Sequence, residues 1–158
     1  MIGGRSQERR IMKPKGVNKV VIAAVRDFDK GIEFYSKLLG ATFDDVSATG
    51  EPFGLKVAFS WDAGMEICAP IPGRDSYVEA FIEEHGEGLM SVIFAFDDVD
   101  EALGRAEEMG ISVTHLIEYD QDEIRQHYED RFKKYKEVVL NAADCYGAGV
   151  ILGQIELK

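Results

Sequence analysis

Val21-Ile22-Ala23-Ala24-Val25-Arg26-Asp27-Phe28-Asp29 lines up without a gap on Val92-Ile93-Phe94-Ala95-Phe96-Asp97-Asp98-Val99-Asp100. Each copy is a short apolar run, an acidic cap and the start of a helical pattern, so the chain carries an internal repeat. After the first copy, Phe28, Ile32, Tyr35, Leu38 and Leu39 recur at helical spacing and Gly40 closes the helix. After the second, Val99, Leu103, Ala106 and Met109 do the same before Gly110. Strand patterns follow each helix: Ala41–Val46, Phe53–Trp61 and Met65–Ile71 in the first half, Ile111–Ile117, Val138–Ala142 and Gly149–Leu157 in the second. Trp61–Met65 and Asp144–Gly149 read as the turns between the last two strands of each half. The pattern predicts an α+β fold of two βαβββ modules, residues 17–71 and 88–158.

Two segments fall outside the repeat. In the linker, residues 72–87, Ser76 and Glu79 form a capping box that opens a helix with Val78, Phe81 and Ile82 on one face. In the second module a helix is predicted at about residues 121–136, capped by Asp120 and Glu123. Its stripe is Ile124, Tyr128, Phe132 and Tyr135, and Glu129/Lys133 and Asp130/Lys134 are i,i+4 pairs. That stripe reads either as core or dimer contact or as a lid over a binding cup.

Charge and composition narrow the function. The 158 residues carry a net charge of −11, with a basic head of Arg5, Arg9, Arg10, Lys13 and Lys15 against Glu8. An acidic surface repels phosphate backbones, so no nucleic-acid partner is expected. Residues 1–16 read as a flexible leader without a secretory h-region. The longest apolar run, Val20–Val25, falls far short of the roughly 20 residues that cross a bilayer, so no membrane partner is expected. Cys68 and Cys145 have no metal-type spacing and are too few for a disulfide scaffold. A cytoplasmic location is the expectation.

Phe34-Tyr35-Ser36-Lys37-Leu38-Leu39-Gly40, Met65-Glu66-Ile67-Cys68-Ala69-Pro70, and Gly86-Glu87-Gly88-Leu89 running into Asp97-Asp98-Val99-Asp100-Glu101-Ala102-Leu103 occur in this order within the paired modules. Together they resemble the vicinal-oxygen-chelate superfamily, which includes glyoxalase I, methylmalonyl-CoA epimerase, extradiol dioxygenases, fosfomycin-modifying enzymes and metal-free bleomycin-resistance proteins. The resemblance covers residues 17–157, and Phe81–Leu103 is most similar to the epimerase branch. It implies sheets curled into a cup, a homodimer, and a divalent metal held by one ligand from the first and one from the last strand of each module.

The ligand positions depart from that pattern. Val20 and Ser91 fall at the first-strand positions, and Glu66 and Ile151 at the last-strand positions. A slip on the first strand offers Lys19, a cation. Slips on the last offer Gly153, or Glu156 on the opposite face. His85, His115 and His127 lie elsewhere. No register supplies three ligands of the kind a divalent ion needs, so no metal and no cofactor is expected.

Strand alternation then gives the lining of the cup. Val20, Ile22 and Ala24 face in from the first strand, Ser91, Ile93 and Ala95 from the fifth, Glu66 and Cys68 from the fourth, and Gly149, Ile151 and Gly153 from the last. If the Asp62-Ala63-Gly64 turn sets Ser60 opposite Glu66, then Lys56, Ala58 and Ser60 join them. A small apolar lining with one carboxylate suits an apolar or cationic small molecule. The competing reading is a cup simply filled by packing. Desolvation would raise the pKa of Glu66 toward that of a general base, with Ser91 or Lys56 assisting; alternatively Glu66 is a relic paired with Lys56. Cys68 has no histidine at a readable spacing to make it a nucleophile, and His115 stands near the predicted mouth.

Three functions remain open: a metal-free small-molecule-binding protein, a lyase or isomerase using Glu66 as base, and a non-catalytic interaction module.

Overall fold

The computed structural model describes residues 14–22 and 24–158, with the backbone alone for 17–22. The leader expected at 1–16 therefore lies outside the described residues for 1–13. The first module runs β1 (Gly16–Ile22), α1 (Phe28–Leu39), β2 (Asp44–Asp45), α2 (Ser47–Gly50), a 3-10 turn at Glu51–Phe53, β3 (Leu55–Ser60) and β4 (Met65–Pro70). The linker helix α3 (Tyr77–His85) leads into β5 (Leu89–Ala95), α4 (Val99–Glu108), β6 (Val113–Tyr119), α5 (Gln121–Tyr128), β7 (Phe132–Leu140), a 3-10 turn at Ala142–Cys145 and β8 (Gly149–Leu157).

All strands join one eight-stranded sheet in the order β2-β3-β4-β1-β5-β8-β7-β6. The order repeats about its centre, where β1 and β5 pair antiparallel; β1 pairs parallel with β4, and β5 with β8. The fold is the expected α+β pair of βαβββ modules with a curled mixed sheet.

The helices follow from their caps and apolar faces. The Asp27 carboxylate accepts from the Lys30 N–H, and α1 ends where Gly40 turns left-handed at φ 65°. Phe28 of α1 packs on Ala58, Ile67 and Ala69. Asp98 accepts from the Asp100 and Glu101 N–H groups, and Val99, Ala102 and Ala106 of α4 pack on Val138, Leu140 and Leu152. Helices α1 and α4 thus cover one face of the sheet. On the other face α3 and α5 contribute Val78, Ile82, Ile124 and Tyr128 to a cluster with Leu55, Phe59, Ile93 and Ile151. Among the described residues no helix is long and apolar enough to cross a membrane.

The helix expected at 121–136 is half that length. It keeps its capping box, with Asp120 accepting from Asp122 and Glu123 and the Glu123 carboxylate accepting from the Asp120 N–H. It stops at Tyr128 because Glu129 and Asp130 both turn left-handed, at φ 52° and 59°. Phe132 and Tyr135 belong instead to β7, whose backbone pairs with β6 on one side and β8 on the other. The expected helical ion pairs do not form: Asp130 binds Lys158, Lys133 binds Glu156 and Lys134 binds Glu118. Nor is α5 an addition peculiar to the second module, since α2 and its 3-10 turn occupy the equivalent place between β2 and β3. Two other strands differ from their expected bounds: β2 pairs over two residues only, and β7 begins six residues before Val138. Asp120→Ala should lower stability by about 1 kcal/mol, the usual worth of an N-cap, read as a shift in the urea midpoint.

Candidate functional site

The β3–β4 hairpin decides which side chains enter the cup. Its loop is Trp61–Gly64, so Ser60 stands opposite Met65 and Phe59 opposite Glu66. Asp62 ties the loop down, accepting from the Ser60 hydroxyl and from the Thr42 and Ala63 N–H groups. The expected register was one residue longer, and a one-residue slip turns every side chain to the other face. Leu55, Val57 and Phe59 therefore share the cup with Glu66 and Cys68. Lys56, Ala58 and Ser60 lie on the opposite face, with the Lys56 ammonium 5.7 Å from the centre of the Phe28 ring. Lys56 is thus placed away from Glu66 and cannot assist it.

A similar slip affects β1. Val20 stands opposite Met65 and Val92, and Val21 opposite Glu66 and Ser91, so position 21 rather than 20 is level with the site. The side chains of Val20 and Ile22 lie outside the described residues. On β5 and β8 the expected pairing is present: Ser91 stands opposite Gly149, and Ile93 opposite Ile151. Gly149 is required there, because a Cβ would collide with the Met90 carbonyl oxygen and the Ser91 Cβ.

One half of the cup is packed solid. Tyr128 of α5 lies between Phe59 and Tyr135, its ring 6.0 Å from the first and 5.0 Å from the second, nearly parallel to both. Trp61, Phe132 and Tyr119 close around this stack. What is left there is a void of about 40 Å³. The stripe on α5 is core packing, and a filled cup describes this half well.

The other half is open. A cavity of about 340 Å³ lies between α3 and strands β5 to β8, with Ile93, Ile117, Val139 and Ile151 on its walls. Its buried polar groups are Ser91 and Glu137, with Glu66 half-buried beside them, and Tyr77, Phe81, His85, Thr114, His115 and Asn141 are also part of the lining. Cys68, 1% exposed, lies within the apolar cluster and does not line the cavity; its thiol donates to Glu66 Oε1 at 3.4 Å. The Tyr135 hydroxyl donates to Glu137 Oε1 at 3.2 Å. Ser91 is 6% exposed, and its hydroxyl makes no hydrogen bond among the described residues. At the rim the Tyr77 ring lies 5.2 Å from His115 and the Phe81 ring 4.8 Å from His85.

Burial holds the Tyr128 and Tyr135 hydroxyls well above the usual phenol range. Negative charge at Glu137 pushes both the same way, as does Tyr119. Tyr77 is raised by burial first, then by Cys68, Glu66 and Glu137. The fields of both glutamates thus converge on one group of phenols.

A second groove, of about 380 Å³, lies outside the cup between β2 and the end of α5. Its polar groups answer one another: Arg131 sits 4.9 Å from the Trp61 ring and 3.9 Å from Asp44, and the Trp61 N–H donates to Asp44 at 3.0 Å. The cup, with its buried polar groups, is the better candidate.

Residues 16–132 match the family model described as the Glyoxalase/Bleomycin resistance protein/Dioxygenase superfamily. The chain belongs to that superfamily. Solved structures of similar shape include a methylmalonyl-CoA epimerase in complex with methylmalonyl-CoA and NH4+, at 20% identity over 90% of this chain and 95% of the other, TM-score 0.70. A variant of the Streptomyces coelicolor methylmalonyl-CoA epimerase in complex with 2-nitronate-propionyl-CoA gives 21%, 90% and 98%, TM-score 0.69. The Mycobacterium tuberculosis methylmalonyl-CoA epimerase gives 19%, 92% and 89%, TM-score 0.68. Such identities establish the fold. No curated protein matches the chain.

The metal implied by the superfamily does not suit the residues present. The four central strands offer Glu66 on β4 and the Ser91 hydroxyl on β5, with Ile151 on β8 and lysine or valine on β1. Among the described residues no three of His, Cys, Asp and Glu are grouped to hold an ion. A single carboxylate and a neutral hydroxyl are not a divalent site.

Sequence reading missed Glu137, Tyr77 and Phe81. Glu137 lies two residues after Tyr135 and two before Val139, so on a strand it shares their face, but the helical reading of 121–136 absorbed the strand's beginning. Tyr77 and Phe81 are one turn apart on α3, but nothing local says that this helix roofs the cup.

Proposed function

We propose that the chain is a metal-free small-molecule-binding protein of the glyoxalase/bleomycin-resistance type, holding one small apolar or cationic molecule in the cup. The observation that carries this reading is the cavity of about 340 Å³, whose mostly apolar walls surround a few buried polar groups. That is the size and character of sites that orient a small guest by one or two polar contacts. A lyase or isomerase using Glu66 as base is supported less well, because Lys56, one of the two groups expected to assist it, lies on the other face of the sheet. A homodimer and a cytoplasmic location belong to the same reading.

The test is thermal unfolding of the purified protein. Stoichiometric nickel, cobalt, zinc or manganese should leave Tm unchanged, whereas a guest at a hundred times its Kd adds about 2.7 kcal/mol and several degrees. A rise of that size with a metal ion alone would overturn the metal-free reading.

A further inference from the structure

We infer that the guest of the cup is a flat aromatic molecule of about two fused rings, lying between α3 and the sheet with one hydroxyl or carbonyl group turned to Ser91. The inference rests on the small-molecule reading and narrows it to one class of ligand. Its first support is the make-up of the two sides. The floor is sheet: Ile93, Ile151, Val139 and Ile117 are branched side chains on the adjacent strands β5, β8, β7 and β6. The opposite side is built of rings. Tyr77 and Phe81 stand one turn apart on α3, with His115 5.2 Å from the first and His85 4.8 Å from the second. Rings gain offset or edge-on contacts with other rings beyond the area they bury, so these four favour a flat aromatic guest over a saturated one of equal size.

The second support is size. The cavity of about 340 Å³ is a little over twice the roughly 150 Å³ that holds a single benzene, so it has room for about two fused rings. A ligand as long as methylmalonyl-CoA, bound in one structure of similar fold, would leave most of its length outside. The third support is the Ser91 hydroxyl, which lines the cavity, is 6% exposed and makes no hydrogen bond among the described residues. Buried polar groups normally have a partner, and the cavity is where that partner can stand. A hydroxyl both donates and accepts, so one hydroxyl or carbonyl on the guest satisfies it.

The probes are two molecules with one carbon skeleton and one hydroxyl, 2-naphthol and decahydro-2-naphthol, titrated calorimetrically into the full chain at neutral pH. The aromatic probe should bind about fivefold tighter, the advantage that one aromatic pair confers. The double substitution Tyr77→Leu and Phe81→Leu, in a protein melting within a few degrees of the parent, should bring the two affinities within twofold of each other. Ser91→Ala should weaken both probes about fivefold, the worth of a neutral hydrogen bond, and leave their ratio as it was. Equal or tighter binding of the saturated probe overturns the aromatic guest while leaving the binding reading intact. An aromatic preference that survives loss of both rings overturns the part given to α3, and unchanged affinities in Ser91→Ala overturn the anchor. Failure of both probes to bind overturns both readings.

Discussion

Tyr135→Ala is expected to remove about 3–5 kcal/mol of stability, the range for deleting a buried aromatic ring. Tyr135 is 1% exposed and packs on Tyr128, Phe132 and Tyr119 at 5.0 to 5.5 Å. Its position on β7, beside Glu137, means that the ring separates the packed half of the cup from the open half. Chemical denaturation followed by the aromatic signal measures the loss. Tyr135→Phe keeps the ring and removes the hydroxyl with its hydrogen bonds to Glu137 and Tyr128, so it should cost less, roughly 1.5–3 kcal/mol. Equal losses for the two variants would show that the ring is not what fills the cup.

Alkaline pH should produce an effect of similar size. In the unfolded chain tyrosine ionises near pH 10, while burial keeps Tyr128 and Tyr135 protonated well above that in the fold. Above about pH 10 the folded protein therefore holds more protons than the unfolded chain, so stability falls as pH rises. Their contribution is complete below that pH. Each phenol gives a slope of about 1.4 kcal/mol per pH unit once its unfolded form is ionised, and the two together give roughly 2.7. Tyr77, raised by burial as well, adds to the slope, so Tyr135→Phe should remove between about a third and a half of it. A melting profile flat from pH 9 to 11.5 would sink the claim that the two hydroxyls are buried as neutral groups.

The repeat made the fold legible. Acidic caps at Asp27 and Asp98 and the apolar runs before them define the two modules, because capping and periodicity act over a few residues and are written locally. The errors share a different origin. Ile124, Tyr128, Phe132 and Tyr135 have helical spacing, but the chain leaves the helix at Glu129 and Asp130, two non-glycine residues in left-handed backbone. No residue type there announces the break. What overrides the helix is the pairing of β7 with two neighbouring strands, a non-local gain. The β3–β4 loop is the same lesson at smaller scale: Trp61–Gly64 closes one residue sooner than assumed, and Lys56 and Phe59 exchange faces. Of the candidate cavity's lining, Glu66, Ser91, Ile93 and Ile151 were legible from alternation on strands β4, β5 and β8. Cys68 was placed on the right face but one layer too deep to meet a guest.

The plug of Tyr128 and Tyr135 also bears on stoichiometry. One side of the sheet's pseudo-dyad is taken up by the protein's own rings, so the binding function proposed above predicts one guest per polypeptide, and a titration should saturate at that ratio.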